Sequence, residues 1–314
     1  MIALLHRAQI QDKAWDDCVR QAQLPLPYAE TWYLDVVSPG WAGVVKRGAG
    51  KSYEAVLPLP LARSYGITYI KQPLFAQQLG FFSREPLTSS EQTDFLSIVQ
   101  KQYAYIADYA FNTQDGLFGG LPGTPHQTHY LPLSRPYADL RRGYRADRRA
   151  RLRQASGNKM VQAHRIDALA EMFRCTAAKG IQGGVSPKAY ALLRRLFAAA
   201  ERRACSQLYY TLDRHGTPEA GAWFLFGQRQ IIYLFNAAWP AARKNNGRSF
   251  ILDQIIQQYA QTPYVLDFES AQVTQIADFY ASFGSQAMPF WQWHHNALPP
   301  WINALKGFRA RWRA

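Results

Sequence analysis

Two carboxylates, Asp267 and Glu269, alternate within the stretch YVLDFES. Alternate residues of an extended strand share a face, so both side chains point one way and Phe268 the other. Neighbouring carboxylates disfavour each other's ionised form, which raises one pKa toward the range of a general base at neutral pH. Glu269 is nearer the strand's C-terminal end, where sites on α/β sheets open, and is the stronger candidate for that base. The competing structural reading makes one of the pair a helix cap and the other the partner of an arginine.

Upstream, the apolar run IIYLFNAAW leads through PAARKNNGRS into SFILDQIIQQYA. A strand, a loop and a helix N-terminus form a cradle of backbone amides suited to a pyrophosphate. Here that cradle comprises Arg243, Lys244, Asn245, Asn246, Gly247, Arg248 and Ser249. A polar turn with a helix cap is the plainer alternative.

Three further groups invite chemistry. The run RRGYRADRRARLR holds seven arginines and one aspartate, +6 within 13 residues. Its Arg145, Arg148 and Arg149 are candidates for an anionic acceptor or a tRNA acceptor stem, because guanidinium favours bidentate phosphate contact. A solvated helix joining two domains is the alternative. Gln72, Gln77 and Gln78 lie among aromatic residues in IKQPLFAQQLGFFS. They suit a sugar or peptide acceptor, or else satisfy the backbone of a buried loop. His294 and His295 would face opposite sides of a strand, and His126 and His129 straddle a Gly/Pro-rich loop, so no metal site is expected. Cys18, Cys175 and Cys205 form no CxxC pair, which excludes a thiolate zinc site and a disulfide framework. No G-x-S-x-G, HExxH or Walker loop is present.

The elements that must position these residues follow one pattern, used twice. YEAVLPLPLA and ITYIKQP read as two strands, then Thr88 and Glu91 make a capping box before EQTDFLSIVQKQ, and YAYIADYAF is the next strand. EAGAWFLF, IIYLFNAAW, SFILDQIIQQYA and YVLDFES repeat that order about 165 residues later. A strand-strand-helix-strand order occurring twice predicts a duplicated α/β (α+β) architecture. THYLPLSRP reads as the last strand of the first half, and PYADLRRGYRADRRARLRQA as one helix between the halves.

Composition narrows the class. The chain has 314 residues, of which 48% are apolar and 18% charged, which excludes a disordered or fibrous protein. Lys and Arg total 36 against 22 Asp and Glu, a net +14 that suits an anionic partner. Helix-turn-helix, zinc-finger and RNP-like patterns are missing, so DNA is not expected. The opening MIALLHRAQ has too short an apolar run for a signal peptide, and no stretch approaches the roughly 18 apolar residues of a membrane span. The expectation is a cytoplasmic protein that is not integral to a membrane.

Lys244-x-x-Gly247-x-Ser249 resembles the Q/R-x-x-G-x-G/A signature of GNAT acetyltransferases, with Lys and Ser at the two departures. Tyr280 and Gly284 in VTQIADFYASFGSQ are similar to the closing Tyr-x-x-x-Gly of a GNAT domain. Together with the duplication, WYLDVV, IKQPLFAQQLG and LDFESAQVTQIADFYASFG resemble the tandem-GNAT proteins related to Fem-type aminoacyltransferases, in their Gram-negative branch. The resemblance implies two domains, 1–135 and 136–314, each a mixed, mainly antiparallel sheet flanked by helices, with a basic linking helix at 136–155. It implies acyl transfer from acetyl-CoA or another acyl-CoA to an amine or hydroxyl, with residues 244–249 on the pyrophosphate and Tyr280 protonating the leaving group. Aminoacyl-tRNA is the donor in the Fem-type variant, and a cell-envelope or peptidoglycan precursor is the implied acceptor. The alternative is a catalytically inactive binding protein for a glycan, peptide or phosphorylated ligand.

Overall fold

The computed structural model describes residues 1–114, 123–155, 157–269 and 272–299, with only the backbone of Arg243 and Lys244. In chain order the first elements are β1 (Ile2–His6), α1 (Asp12–Gln21), α2 (Thr31–Val37), β2 (Ala42–Arg47) and β3 (Tyr53–Leu59). Next come β4 (Leu61–Ser64), β5 (Ile67–Lys71), β6 (Phe82–Ser83), α3 (Ser89–Gln102), β7 (Tyr105–Ala110) and β8 (Thr124–Pro132). The middle carries α4 (Tyr137–Arg142), α5 (Ala146–Gln154), β9 (Met160–Ala163), α6 (Asp167–Cys175), α7 (Pro187–Glu201) and β10 (Ser206–Leu212). The last are β11 (Pro218–Phe226), β12 (Gln230–Ala238), α8 (Pro240–Lys244), α9 (Gly247–Gln258), β13 (Val265–Asp267), α10 (Thr274–Ala281) and β14 (Gln286–Asn296).

These elements form two compact units. One contains Met1–Gln23, Ser38–Pro125 and Phe290–Ala314; the other contains Leu24–Val37 and His126–Pro289. Both units exchange segments across the 135/136 position at which the sequence suggests a single break.

In the first unit, β1-β2-β3-β6 form one antiparallel sheet. Beside each other in a second set run β4, β5, β7 and β14, with only β5 and β7 parallel. The helix between the parallel pair, α3, starts at Thr88, whose hydroxyl accepts from Glu91 N while the Glu91 carboxylate accepts from Thr88 N. The run YEAVLPLPLA is two strands rather than one, because Pro60 has no N–H to continue a ladder.

In the second unit the strand order is β8-β13-β12-β11-β10-β9, again with one parallel pair, β12 and β13. The strand-strand-helix-strand order is therefore present twice, as β4-β5-α3-β7 with the short β6 inserted before α3, and as β11-β12-α9-β13 with the short α8 inserted before α9. β8 departs from the sequence reading. Tyr130, Leu131 and Pro132 pair with Asp267, Leu266 and Val265, and Leu131 and Leu133 enter the core of the second unit. Burying those leucines beside Leu266, Phe268 and α9 outweighs nearness in sequence.

The linking helix also differs. It is two helices, α4 and α5, broken at Gly143–Arg145, where Arg145 N donates to Ser282 O. Gly284, with φ +77°, lies so close to Gly143 that a Cβ there would sit 2.9 Å from its carbonyl oxygen. That approach fixes glycine at the end of α10. Another correction concerns PAARKNNGRS, which is not an open loop. Pro240 opens the short helix α8, as its fixed φ favours at a first helical position, and only Asn245 and Asn246 separate it from α9.

Candidate active site

The acidic strand end is built by β13, β8 and the segment around Tyr28, all in the second unit. Asp267 is wholly buried, and its Oδ1 accepts from Thr128 Oγ1 at 3.1 Å and from Glu269 N at 2.9 Å. Its Oδ2 meets no hydrogen-bond partner among the described residues. Burial pushes the Asp267 pKa up to about 7. Desolvation, rather than a neighbouring carboxylate, causes the shift.

Glu269 is half-buried and leaves the strand with φ +46°, a left-handed conformation uncommon for a residue with a Cβ. The Asp267 carboxyl holds that bend through Glu269 N. Glu269 Oε1 accepts a hydrogen bond from the hydroxyl of Tyr28, 241 positions away in sequence and itself fully buried. Burial first, then the Glu269 charge, drives the Tyr28 pKa well above the ordinary phenol value. The phenol therefore remains a donor.

The second cluster lies on the face of the sheet that carries α9. Phe224 of β11 pairs with Tyr233 and Trp223 with Phe235, which leaves Leu234 as an extra residue in β12. This bulge puts Tyr233 and Asn236 on the α9 face, while Phe235 meets Phe173 of α6. β12 and β13 pair only from Gln230–Val265 to Ile232–Asp267, while β12 continues to Ala238 beside β11. The described parallel strands thus part next to Asp267. Asn236 Oδ1 accepts from Arg248 Nη1 at 3.0 Å, and Asn236 also hydrogen-bonds Tyr280. Burial pushes the Tyr280 pKa up to about 12, against the opposing charge of Arg248.

Arg148 is only 3% exposed. Its Nε donates to Ser282 Oγ at 2.9 Å and its Nη1 to Ser249 Oγ, and it stacks on Phe279 and Phe283 at 4.4 and 4.7 Å. No carboxylate among the described residues lies within ion-pair distance of Arg148 or Arg248. Burial lowers the Arg148 pKa to about 10, leaving the cation intact at neutral pH. Two cations at a helix N-terminus run against the helix dipole, and the first turn of α9 holds no acid to offset them. Asn246, left-handed at φ +56°, provides no side-chain cap. The amides of Gly247, Arg248 and Ser249 begin the helix without intrahelical acceptors. This donor set fits an anion such as a pyrophosphate.

The other predicted residues are placed as follows where they are described. Gly247 is buried, and a Cβ on it would lie 2.6 Å from Thr211 Oγ1 and 2.9 Å from Ala220 Cβ, so glycine seats α9 on the sheet. Ser249 lies within α9, not at its cap, and serves Arg148. Asn245 Nδ2 donates to Glu219 Oε2 at 3.1 Å. The side chains of Arg243 and Lys244 lie outside the described residues. Arg145 pairs with Asp147 and Asp278, and Arg149 donates to the carbonyls of Arg142 and Tyr144. In the first unit, Gln72 Nε2 donates to Ala76 O and its Oε1 accepts from Ala110 N, while Gln78 Oε1 accepts from Thr113 N. Gln77 Oε1 accepts from Gln78 Nε2. These amides stitch a loop together. His294 Nδ1 contacts Ala107 O at 2.5 Å, and the described residues contain no group of His, Cys, Asp or Glu able to hold a metal. No described helix is long and apolar enough to cross a membrane.

Tyr28, Thr128 and Asn236 were not legible as site residues. Tyr28 stands in an aromatic stretch between Pro27 and Trp32, which reads as core packing until the fold brings it to Glu269.

No protein-family profile and no curated protein matches the sequence. Solved structures do. FemX superimposes with a TM-score of 0.66 at 12% identity, covering 91% of this chain and 96% of that one. The chain has a tandem-GNAT, Fem-type fold. A tandem GNAT protein from the clavulanic acid biosynthesis pathway, solved without AcCoA, gives 0.53 at 13% identity over 95% and 99% of the two chains. A conserved protein of unknown function from Bacteroides thetaiotaomicron VPI-5482 gives 0.56 at 9% identity over 94% and 100%. At these identities the likeness concerns the tandem-GNAT fold alone.

Proposed function

We propose that this tandem-GNAT protein is an acyltransferase that moves an acyl group from acyl-CoA to an amine or hydroxyl. The observation that carries the reading is Arg148: a buried guanidinium with no carboxylate partner among the described residues, at the uncapped start of α9, next to parting parallel strands. An uncompensated buried cation is costly, and a phosphate group would repay it. The amides of residues 247–249 and the guanidinium of Arg248 would hold the pyrophosphate, backed by Arg148. Acyl-CoA bound there would supply a thioester carbonyl as electrophile.

Glu269 is the general base, accepting a proton from the incoming ammonium or hydroxyl. Asp267 positions it through the Glu269 amide. Tyr280, still protonated at neutral pH, is the proton donor to the leaving thiolate. A peptidoglycan or other cell-envelope precursor is the acceptor class that the Fem-type resemblance favours, and aminoacyl-tRNA is the rival donor.

Calorimetric titration with acetyl-CoA tests the donor site. Saturable binding that weakens at least about tenfold in Arg248→Glu is the expected result, from loss of one charge-assisted phosphate contact and gain of repulsion. Gly247 is unsuited to such a test, since its substitution disturbs packing. No binding of acetyl-CoA or of longer acyl-CoAs would remove this donor and leave the tRNA or the inactive binding-protein reading. Saturable binding with no transfer to any acceptor would favour the latter.

A further inference from the structure

The buried phenol of Tyr28 lies outside the acyl-transfer scheme, yet it donates a side-chain hydrogen bond to the proposed base. We infer that Tyr28 is a positioning residue for Glu269, fixing the carboxylate's orientation and holding it ionised in the resting protein. The inference rests on the acyltransferase reading for its catalytic meaning, but the pairing itself is a property of the fold.

Three observations carry it. Tyr28 is 0% exposed, so its hydroxyl is shielded from water and must find a protein acceptor. That acceptor is Glu269, which is partly open to solvent and therefore able to meet a second molecule. The backbone of Glu269 is held in a left-handed bend by Asp267 Oδ1, so backbone and side chain are each restrained by a different partner. Left-handed residues with a Cβ are retained where surroundings over-determine them, and such places are enriched in functional sites.

The Tyr28 ring is itself locked. It meets Tyr33 edge-on at 5.5 Å, Tyr33 meets Trp32 at 5.2 Å, and Arg203 at the end of α7 covers Trp32 at 4.8 Å. The segment 24–37 is thereby anchored on α7, within the same unit as β13. A rigid donor aimed at a carboxylate favours its ionised form and limits its rotamers. Tyr33, Asp267 and Tyr280 are the other titratable groups acting on this pair. Both tyrosines have raised pKa values and remain neutral, so Asp267 is the group among them that titrates near pH 7.

The test is carbon NMR of the full chain labelled at the Glu carboxyl carbon, with the Glu269 resonance assigned by its loss in Glu269→Gln. In Tyr28→Phe the Glu269 titration midpoint moves upward by about one pH unit relative to wild type, a tenfold change in proton affinity. A midpoint unchanged in Tyr28→Phe overturns the inference. Should Tyr28→Phe fail to fold, a wild-type sample labelled at the Tyr ring carbon bearing oxygen decides. The tyrosine resonance that moves in Glu269→Gln must be downfield-shifted as a donor to carboxylate, and absence of any such shift overturns the pairing. Acetyl-CoA titration of the same wild-type sample separates the two questions. Loss of acetyl-CoA binding would defeat the donor reading while leaving the carboxyl titration to judge Tyr28.

Discussion

At the scale of single residues, Asp267 and Glu269 occupy different surroundings, a difference that their spacing left undecided. The sequence made Glu269 the stronger base and attributed any raised pKa to mutual repulsion. In the fold the perturbed group is Asp267, because it is the one removed from water. This gives a stability prediction with a definite sign. Between the unfolded value of 3.8 and the folded value of about 7, the native state binds a proton that the unfolded chain releases. The stabilisation is complete below about pH 4 and is lost as pH rises to 7 and beyond, by on the order of 4 kcal/mol. His129 acts oppositely: burial lowers its pKa below 6.5, so its contribution is lost as pH falls. Asp267→Asn keeps an acceptor for Thr128 and Glu269 N and removes the ionisation. Denaturant unfolding of wild type and Asp267→Asn at pH 5 and pH 8 should therefore differ in slope with pH. The wild type should lose several kcal/mol more than the variant, and parallel pH curves would refute the buried, protonated carboxyl.

At the scale of elements, the seating of α9 decides whether its N-terminus can face a ligand. Gly247→Ala places a Cβ 2.6 Å from Thr211 Oγ1 and 2.9 Å from Ala220 Cβ, both on strands that cannot easily retreat. The expected loss is about 1–3 kcal/mol, read as a lower unfolding midpoint. Thr211→Ala removes the closer atom, so the double variant should recover part of the loss, and simple additivity would argue against this contact. Much at this scale was legible beforehand. The repeated strand-strand-helix-strand order and the Thr88–Glu91 box are local signals, and each stands in the fold. What failed was long-range. β8 was assigned to the nearer half because nothing in THYLPLSRP names its partner, and the α4–α5 break was hidden by helical spacing that continues through Gly143. The site suffered equally, since Tyr28 and Thr128 acquire roles only when segments far apart in sequence converge.

At the scale of the whole molecule, the net +14 is distributed so as to distinguish the two donors. Seven arginines in the joint suggested a broad phosphate-binding surface, yet several are already engaged. Arg142 pairs with Asp139, Arg145 with Asp147 and Asp278, and Arg149 with two carbonyls. Arg148 is buried under α9 and faces serines and phenyl rings instead of solvent. The basic C-terminal residues KGFRARWRA lie outside the described residues. A compact anion held mainly by Arg248 and helix amides, with Arg148 behind them, is poorly screened by salt because part of the interaction is sheltered from water. A tRNA engaging six or more phosphates would instead lose about a thousandfold in affinity between 50 and 200 mM salt as counterions are released. Acetyl-CoA affinity should therefore fall by less than about tenfold across that range, and Arg148→Met should weaken the binding that remains at 200 mM while lowering thermal stability. An acetyl-CoA affinity that collapses with salt as steeply as that of a nucleic acid would place the ligand on the exposed arginines of α5 rather than at the start of α9. In that case the charge of the joint, not the buried guanidinium, would be the functional feature of this fold.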